Sequence, residues 1–238
     1  MLFTGKKIVI IGGSSGIGFA VAKAAINEGA NVIIASRSAD KLAKAKAELK
    51  NRVETYQLDL LQDDSISSFF QKIGSFDHLQ LPGSEVKFEN IHTLSIEDAK
   101  YSFDSKFWGP YVVIKDALNH LSKDGSITLY SGAASQRPTK DSTILTALNA
   151  AVEALSRALA IALAPIRVNV ISPGITMTPL FEDMGEDQVK KVFEAYKEKL
   201  LIQRFATADE VAKTAIYLMS NDYVTGSLHM VDGGMSAT

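Results

Sequence analysis

The sequence predicts an α/β fold: a doubly wound parallel sheet of about seven strands with helices on both faces. Three observations predict it. Short β-branched apolar runs recur along the chain, beginning with Lys7-Ile8-Val9-Ile10-Ile11, and have the composition of buried parallel strands. Helix-forming segments alternate with them, as βαβ crossovers require. The first strand and first helix meet at a glycine-rich turn, Gly12-Gly13-Ser14-Ser15-Gly16-Ile17-Gly18.

Each element has its own local reason. Phe19 to Ala25 is rich in helix formers and follows the glycine turn. Asn31 to Ala35 is a second buried strand, and Ala39 to Lys50 a Lys/Ala/Leu helix with one polar face. Val53 to Leu58 and His78 to Leu81 are the third and fourth strands, with a helix at Ser65 to Ile73 between them. One long helix is expected from Ser95 to Leu121, with Ser95 as N-cap and Asp98 completing a capping box. Ser126 to Ser131 is the fifth strand. Ser142 to Ala164 is an Ala/Leu helix apolar on more than one face, buried or packed on a partner. Val168 to Ile171 is the sixth strand. Amphipathic helices follow at Glu186 to Leu200 and Asp209 to Ser220, and Ser227 to Val231 is the last strand.

Composition narrows the function. The net charge of −2 argues against a general nucleic-acid or membrane-surface binder. With no cysteine there is no disulfide, thiol catalysis or thiolate metal site. His78, His92, His120 and His229 have no ligand spacing, so no metal site is expected. No signal-peptide pattern or apolar run near the roughly 20 residues of a membrane span is evident, so a cytoplasmic protein is expected.

The glycine turn has a mechanism. A strand before it and a helix after it bring unpaired amides and the positive end of a helix dipole to one place, which suits a pyrophosphate. Gly12, Ser14, Ser15, Gly16, Ile17 and Gly18 are therefore candidate cofactor ligands. In such a sheet, ligands bind beyond the carboxyl ends of the strands. After the second strand stands Ser36-Arg37-Ser38, where an acidic residue would accept from a ribose 2′-hydroxyl. A guanidinium between serines suits a 2′-phosphate instead, favouring NADP(H) over NAD(H); the alternative is a solvated surface arginine.

The spacing Gly-x-x-x-Gly-Ile-Gly from Gly12 to Gly18 resembles that of the short-chain dehydrogenase/reductase family. Further runs resemble the same family in order: Ala164-Pro165-Ile166-Arg167-Val168-Asn169-Val170-Ile171, then Ser172-Pro173-Gly174-Ile175-Thr176-Met177-Thr178-Pro179, and Gln203-Arg204-Phe205 ahead of Ala208-Asp209-Glu210-Val211. Thr225-Gly226 and Val231-Asp232-Gly233-Gly234 complete the set, so the resemblance spans Lys7 to Gly234. It implies one Rossmann-type NAD(P)-binding domain over residues 1–238, with a substrate lid at about 177–205. It implies an oxidoreductase acting on a small molecule. It places Asp59 and Leu60 at the adenine, Pro82 and Gly83 where the family has the end of Asn-Asn-Ala-Gly, and Pro173, Gly174, Ile175, Thr176 and Thr178 around the nicotinamide carboxamide. It also implies a homodimer or homotetramer paired through the helices from Ser95 and Ser142.

The family's chemistry uses a Ser, a Tyr that donates the proton, a Lys that lowers the Tyr pKa, and a supporting Asn. Flanking residues fix the register, and all four positions differ: Gly132, Leu145, Asn149 and Lys106 stand there. Leucine has no donor. Ser131 lies just ahead of Gly132, and Lys106 and Asn149 carry the family's ammonium and amide with identities exchanged. Lys106, Ser131 and Asn149 are therefore the candidate catalytic residues, with Asn149 also a cofactor ligand. Tyr130 and Arg137 are alternative donors, and Arg137 and Lys140 are either anion-binding or solvated loop charges. Two functions remain open: an atypical NADP(H)-dependent oxidoreductase acting on an activated C=O, C=C or C=N bond, or a non-catalytic NADP(H)-binding sensor or partner subunit.

Overall fold

The structure is a computed structural model that describes residues 1–87, 89–179 and 185–238. Seven strands form one parallel sheet: β1 (Lys7–Ile11), β2 (Asn31–Ser36), β3 (Val53–Gln57), β4 (Phe76–Leu81), β5 (Leu121–Tyr130), β6 (Arg167–Pro173) and β9 (Leu228–Val231). Their order is β3-β2-β1-β4-β5-β6-β9. The chain reverses direction of travel across the sheet between β1 and β4, and a crevice opens there at the carboxyl ends. The Rossmann-type fold read from the sequence is thus present.

Alternation along the strands fills both faces. Ile8 and Ile10 of β1 pack with α1 (Gly16–Asn27), α2 (Ala39–Glu48) and α8 (Ala208–Ser220). Val9 and Ile11 turn to the other face, toward α3 (Asp63–Ile73), α5 (Gly109–Ala117) and α6 (Thr143–Ala162). Each such side chain, fully buried, stabilises by about 1.5–3 kcal/mol. The remaining elements are α4 (Ile96–Phe103), α7 (Glu186–Tyr196) and a two-stranded ladder of β7 (Thr176–Met177) and β8 (Ala206–Thr207).

Several expectations are corrected. The helix expected from Ser95 to Leu121 is three pieces: α4, a π-helical turn at Asp104–Trp108, and α5. It stops at Ala117, because Leu121 already pairs with Phe76 at the start of β5. Ser95 caps α4 by accepting from the Asp98 amide at 3.0 Å, but its hydroxyl also donates to the Asp98 carboxylate at 2.7 Å, so the reciprocal half of a capping box is not formed. A full box stands at Thr207 and Glu210, ahead of α8. The β7–β8 ladder has no periodic signal, being only two residues long on each side. Among the described helices, α6 alone is long and apolar enough to cross a membrane by length and composition, a run the sequence reading did not count. Its inward face carries Asn149, Glu153 and Ser156 and packs on the sheet.

Candidate active site

The glycine turn, at the carboxyl end of β1, lies backbone to backbone against the chain after β4. A Cβ on Gly12 would lie 2.3 Å from the Gly83 Cα, and Gly12 has φ +91°. The Gly83 amide donates to the Ile11 carbonyl at 3.1 Å, tying the end of β4 to β1. Ser15 is the N-cap of α1 yet makes no side-chain cap, so its hydroxyl stays free beside the first amides.

A cleft of about 460 Å³ follows from this packing. It is lined by Gly12, Ser14, Ser15, Gly16, Ile17 and Gly18 of the turn. Ser36, Arg37 and Ser38 line it from the end of β2, Asp59 and Leu60 from the end of β3, and Pro82 and Gly83 from the end of β4. Thr178 completes it, with its methyl 3.3 Å from where a Gly16 Cβ would lie. The structure therefore brings together the residues that the sequence assigned to the adenosine and pyrophosphate half of a cofactor. Two of them have local duties as well: Ser38 caps α2, accepting from the Lys41 amide at 3.2 Å, and the Asp59 carboxylate accepts from the Leu61 amide at 3.1 Å.

Of the residues assigned to the nicotinamide half only Thr178 lines this cleft; Ser131, Asn149, Pro173, Gly174, Ile175 and Thr176 stand outside its lining, around the ends of β5 and β6. The Ser131 amide donates to the Ile171 carbonyl at 2.9 Å, continuing the ladder beyond β5. The Gly174 amide donates to the Val231 carbonyl at 2.9 Å, which fixes Pro173 and Gly174 against the end of β9. Thr176 donates to the Gly174 carbonyl at 3.1 Å, and Ile175 packs into a small cluster with Leu200, Phe205 and Met235. Residues 180–184 of the expected lid lie outside the described residues.

Lys106, Ser131 and Asn149 converge. The Lys106 ammonium donates to the Ser131 carbonyl at 3.0 Å. The Asn149 amide nitrogen lies 3.0 Å from where a Gly132 Cβ would stand. Burial lowers the Lys106 ammonium to about 8, and the Glu153 carboxylate one turn beyond Asn149 partly offsets that effect. Glu153 is itself buried and accepts from Ser135 at 2.5 Å and Gln136 at 3.2 Å, which holds the 133–136 turn. Leu145 is half-buried on the same helix.

Four buried side-chain atoms among the described residues have no hydrogen-bond partner: Ser36 Oγ, Ser131 Oγ, Ser172 Oγ and Asn149 Oδ1. All four sit at the carboxyl edge of the sheet, where a polar ligand would satisfy them. A second cleft, of about 490 Å³, lies at the amino ends of the strands. Several of its polar groups are engaged: Arg167 donates to the Leu218 and Met219 carbonyls, His78 pairs with Ser126, and Lys6 pairs with Asp77. The orphaned atoms thus lie at the carboxyl edge, Ser36 in the lining of the 460 Å³ cleft and Ser131, Ser172 and Asn149 outside that lining at the ends of β5 and β6. No group of three metal-ligating side chains occurs among the described residues.

The alternative donor Tyr130 is engaged elsewhere. Tyr130 donates to Gln80 at 2.8 Å inside the core, and burial pushes its phenol up, so it is no proton donor to the cleft. A Tyr-x-x-x-Lys spacing does exist at Tyr111 and Lys115, but both side chains face outward on α5, with Val113 and Ile114 inward. Lys140 is exposed and Arg137 half-buried on the loop after Gly132; like Lys106, Ser131 and Asn149 they stand outside the lining of the 460 Å³ cleft. Glu85, Tyr101 and Lys41 line it without having been singled out from sequence. Only Lys41 had a signal, standing one turn after Arg37 behind the Ser38 cap.

The comparisons agree with the fold. A family model described as enoyl-(acyl carrier protein) reductase matches residues 11–236. The chain is 30% identical to the short-chain dehydrogenase/reductase malC of Malbranchea aurantiaca, over 98% of this chain and 96% of that one. It is 32% identical to the short-chain dehydrogenase/reductase ATR9 of Stachybotrys chlorohalonatus, over 97% and 96%. The solved structure of the MalC reductase/Diels-Alderase from Malbranchea aurantiaca superposes with a TM-score of 0.93 at 29% identity, covering 100% of this chain and 98% of that one. A small-chain dehydrogenase solved in complex with NADPH gives a TM-score of 0.84 at 32% identity, covering 98% and 99%. On its sheet order, its glycine turn and these matches, the chain belongs to the short-chain dehydrogenase/reductase family.

Proposed function

We propose that this protein is an NADP(H)-dependent oxidoreductase that reduces an activated C=O, C=C or C=N bond of a small molecule without a tyrosine acid. The observation that carries the reading is the set of orphaned polar atoms at Ser36, Ser131, Ser172 and Asn149, spread along one edge of the sheet. A dinucleotide spans such an edge, and the residues present fit one. The turn from Gly12 to Gly18 would hold the pyrophosphate on backbone amides. Ser36, Arg37 and Ser38 would hold a 2′-phosphate, and Asp59 and Leu60 the adenine. Asn149 would meet the nicotinamide ribose, and Pro173 to Thr178 the carboxamide. The neighbour solved with NADPH supports the choice of cofactor.

When bound, the reduced nicotinamide supplies the hydride. What remains for the chain is orientation and a proton. Leu145 offers none. Lys106, with an ammonium lowered to about 8, is still charged at neutral pH and close to the range where a general acid works best. The Ser131 hydroxyl, buried and unpartnered, would orient a substrate heteroatom. An already polarised acceptor needs little more, which is why activated substrates are favoured over simple ketones.

The same reading treats residues 1–238 as one domain with a lid at 177–205, acting as a cytoplasmic homodimer or homotetramer. The non-catalytic alternative, a sensor or partner subunit, is supported by the residues at the family's Ser, Tyr and Lys positions: Gly132, Leu145 and Asn149. One experiment separates the two: NADPH oxidation is followed against cyclic imines, enones and simple ketones, with NADPH affinity measured in parallel. Turnover of an activated acceptor supports the oxidoreductase. Binding without turnover of any acceptor favours the sensor. Failure to bind NADPH overturns both.

A further inference from the structure

We infer that Glu85 sets the discrimination between phosphorylated and unphosphorylated cofactor, by holding the guanidinium that a 2′-phosphate must take over. The inference rests on the assignment of Arg37 as the 2′-phosphate ligand. Arg37 Nη2 donates to Glu85 Oε2 at 2.8 Å, and Arg37 Nη1 lies 3.2 Å from the Tyr101 hydroxyl. The Tyr101 hydroxyl donates to the same Glu85 oxygen at 2.9 Å. The three side chains make a closed triangle that joins the lip after β2 to the lip after β4, across the cleft that all three line.

The backbone at both ends is fixed. The Arg37 carbonyl accepts from Gln57 at 2.9 Å. The Glu85 amide donates to Ser105 at 2.7 Å and the Lys87 amide to Ser102 at 2.9 Å, docking the segment after Gly83 on the π-turn and on α4, which carries Tyr101. Exchange of partners therefore needs side-chain rotation alone. Both charged side chains are about half exposed, at 55% and 40%, so their pairing is of the weak, displaceable kind. A phosphate dianion is the stronger acceptor for a guanidinium. After displacement, Glu85 keeps Tyr101 and has Lys87 at 3.7 Å. The unpartnered Ser36 hydroxyl next to Arg37 is a second donor waiting for the same phosphate.

Glu85 thus opposes the 2′-phosphate twice, by competing for Arg37 and by like-charge repulsion, and leaves an unphosphorylated ribose nearly unaffected. The test is titration of wild type, Glu85→Gln and Arg37→Ala with 2′,5′-ADP and 5′-AMP, then with NADPH and NADH. Glutamine keeps the shape and an acceptor for Tyr101 but removes the charge. Glu85→Gln should bind 2′,5′-ADP and NADPH about two- to fivefold more tightly, the span expected for one exposed ion pair, with 5′-AMP and NADH unchanged. The unphosphorylated ligands also report that the variant is folded. If wild type shows no preference for 2′,5′-ADP, or Arg37→Ala keeps it, the assignment of Arg37 itself fails. If that preference exists and depends on Arg37, but Glu85→Gln binds 2′,5′-ADP equally or more weakly, the role given to Glu85 is overturned.

Discussion

The Lys106 ammonium, carried on a π-helical turn, donates to the Ser131 carbonyl 3.0 Å away at the end of β5. π-turns are rare and cluster at functional sites, and this one stands between two ordinary helices and carries Lys106. An ammonium lowered to about 8 is protonated below that pH and neutral above it. If Lys106 gives the proton, kcat/KM for reduction should be level below about pH 8 and fall above it. Lys106→Met should be slow and lose that break. Stability follows with its own sign. The folded value lies below the ordinary 10.5, so the unfolded chain holds more protons between about 8 and 10.5, and stability should rise with pH across that window. Lys106→Met should flatten the rise in chemical denaturation. A wild-type rate profile with no break near pH 8 would remove Lys106 as the donor.

Simple ketones should be poor substrates. A positioned general acid contributes about 10²–10⁴-fold, and Leu145 cannot act as one. The variant Leu145→Tyr, Asn149→Lys and Gly132→Ser should gain slow ketone reduction over wild type. Gly132→Ser alone should do little, because its Cβ would lie 3.0 Å from the Asn149 amide nitrogen and must push it aside. Ketone reduction by wild type at rates ordinary for the family would refute the lost-acid mechanism.

The outer helices leave apolar surface uncovered. Trp108 and Tyr111 on the π-turn and α5, and Ile161 on α6, are exposed. Pairing of these faces would bury them, so light scattering at micromolar concentration should give a dimer or tetramer. Trp108→Lys combined with Ile161→Lys should reduce the mass. A monomeric wild type would contradict the pairing.

His78 should make the protein acid-sensitive. It is buried beside Ser126, and burial lowers its imidazole from 6.5 to about 4. Between those values the unfolded chain binds the extra proton, so stability should fall as pH drops from about 6.5 toward 4. His78→Gln should show a shallower fall in the same window, read from urea midpoints at stepped pH. An unchanged slope would mean that other groups govern the acid limb.

Much of the site was legible because it is built from local pattern. The turn from Gly12 to Gly18, Ser36-Arg37-Ser38 after β2 and Pro82-Gly83 after β4 each follow a strand whose apolar run shows in the sequence, and a parallel sheet collects strand ends at one edge. Glu85 and Tyr101 were not legible. They reach Arg37 from 48 and 64 residues away, and nothing local marks a carboxylate on an irregular loop as its partner.

The sequence by itself determined the sheet, its two apolar faces, the glycine turn and the absence of a tyrosine acid at position 145, since these depend on residue type and period alone. The tertiary structure decided which polar groups are satisfied. It engaged Tyr130 with Gln80 in the core, left Ser131 and Asn149 with unpartnered atoms, and paired Arg37 across the cleft. It also broke the helix expected from Ser95 to Leu121 into α4, a π-turn and α5, turning Lys106 toward Ser131. The physical reason is that a hydrogen-bond partner or a helix register of this kind is fixed by contacts between segments distant in sequence, whereas hydrophobic period is written in neighbouring residues.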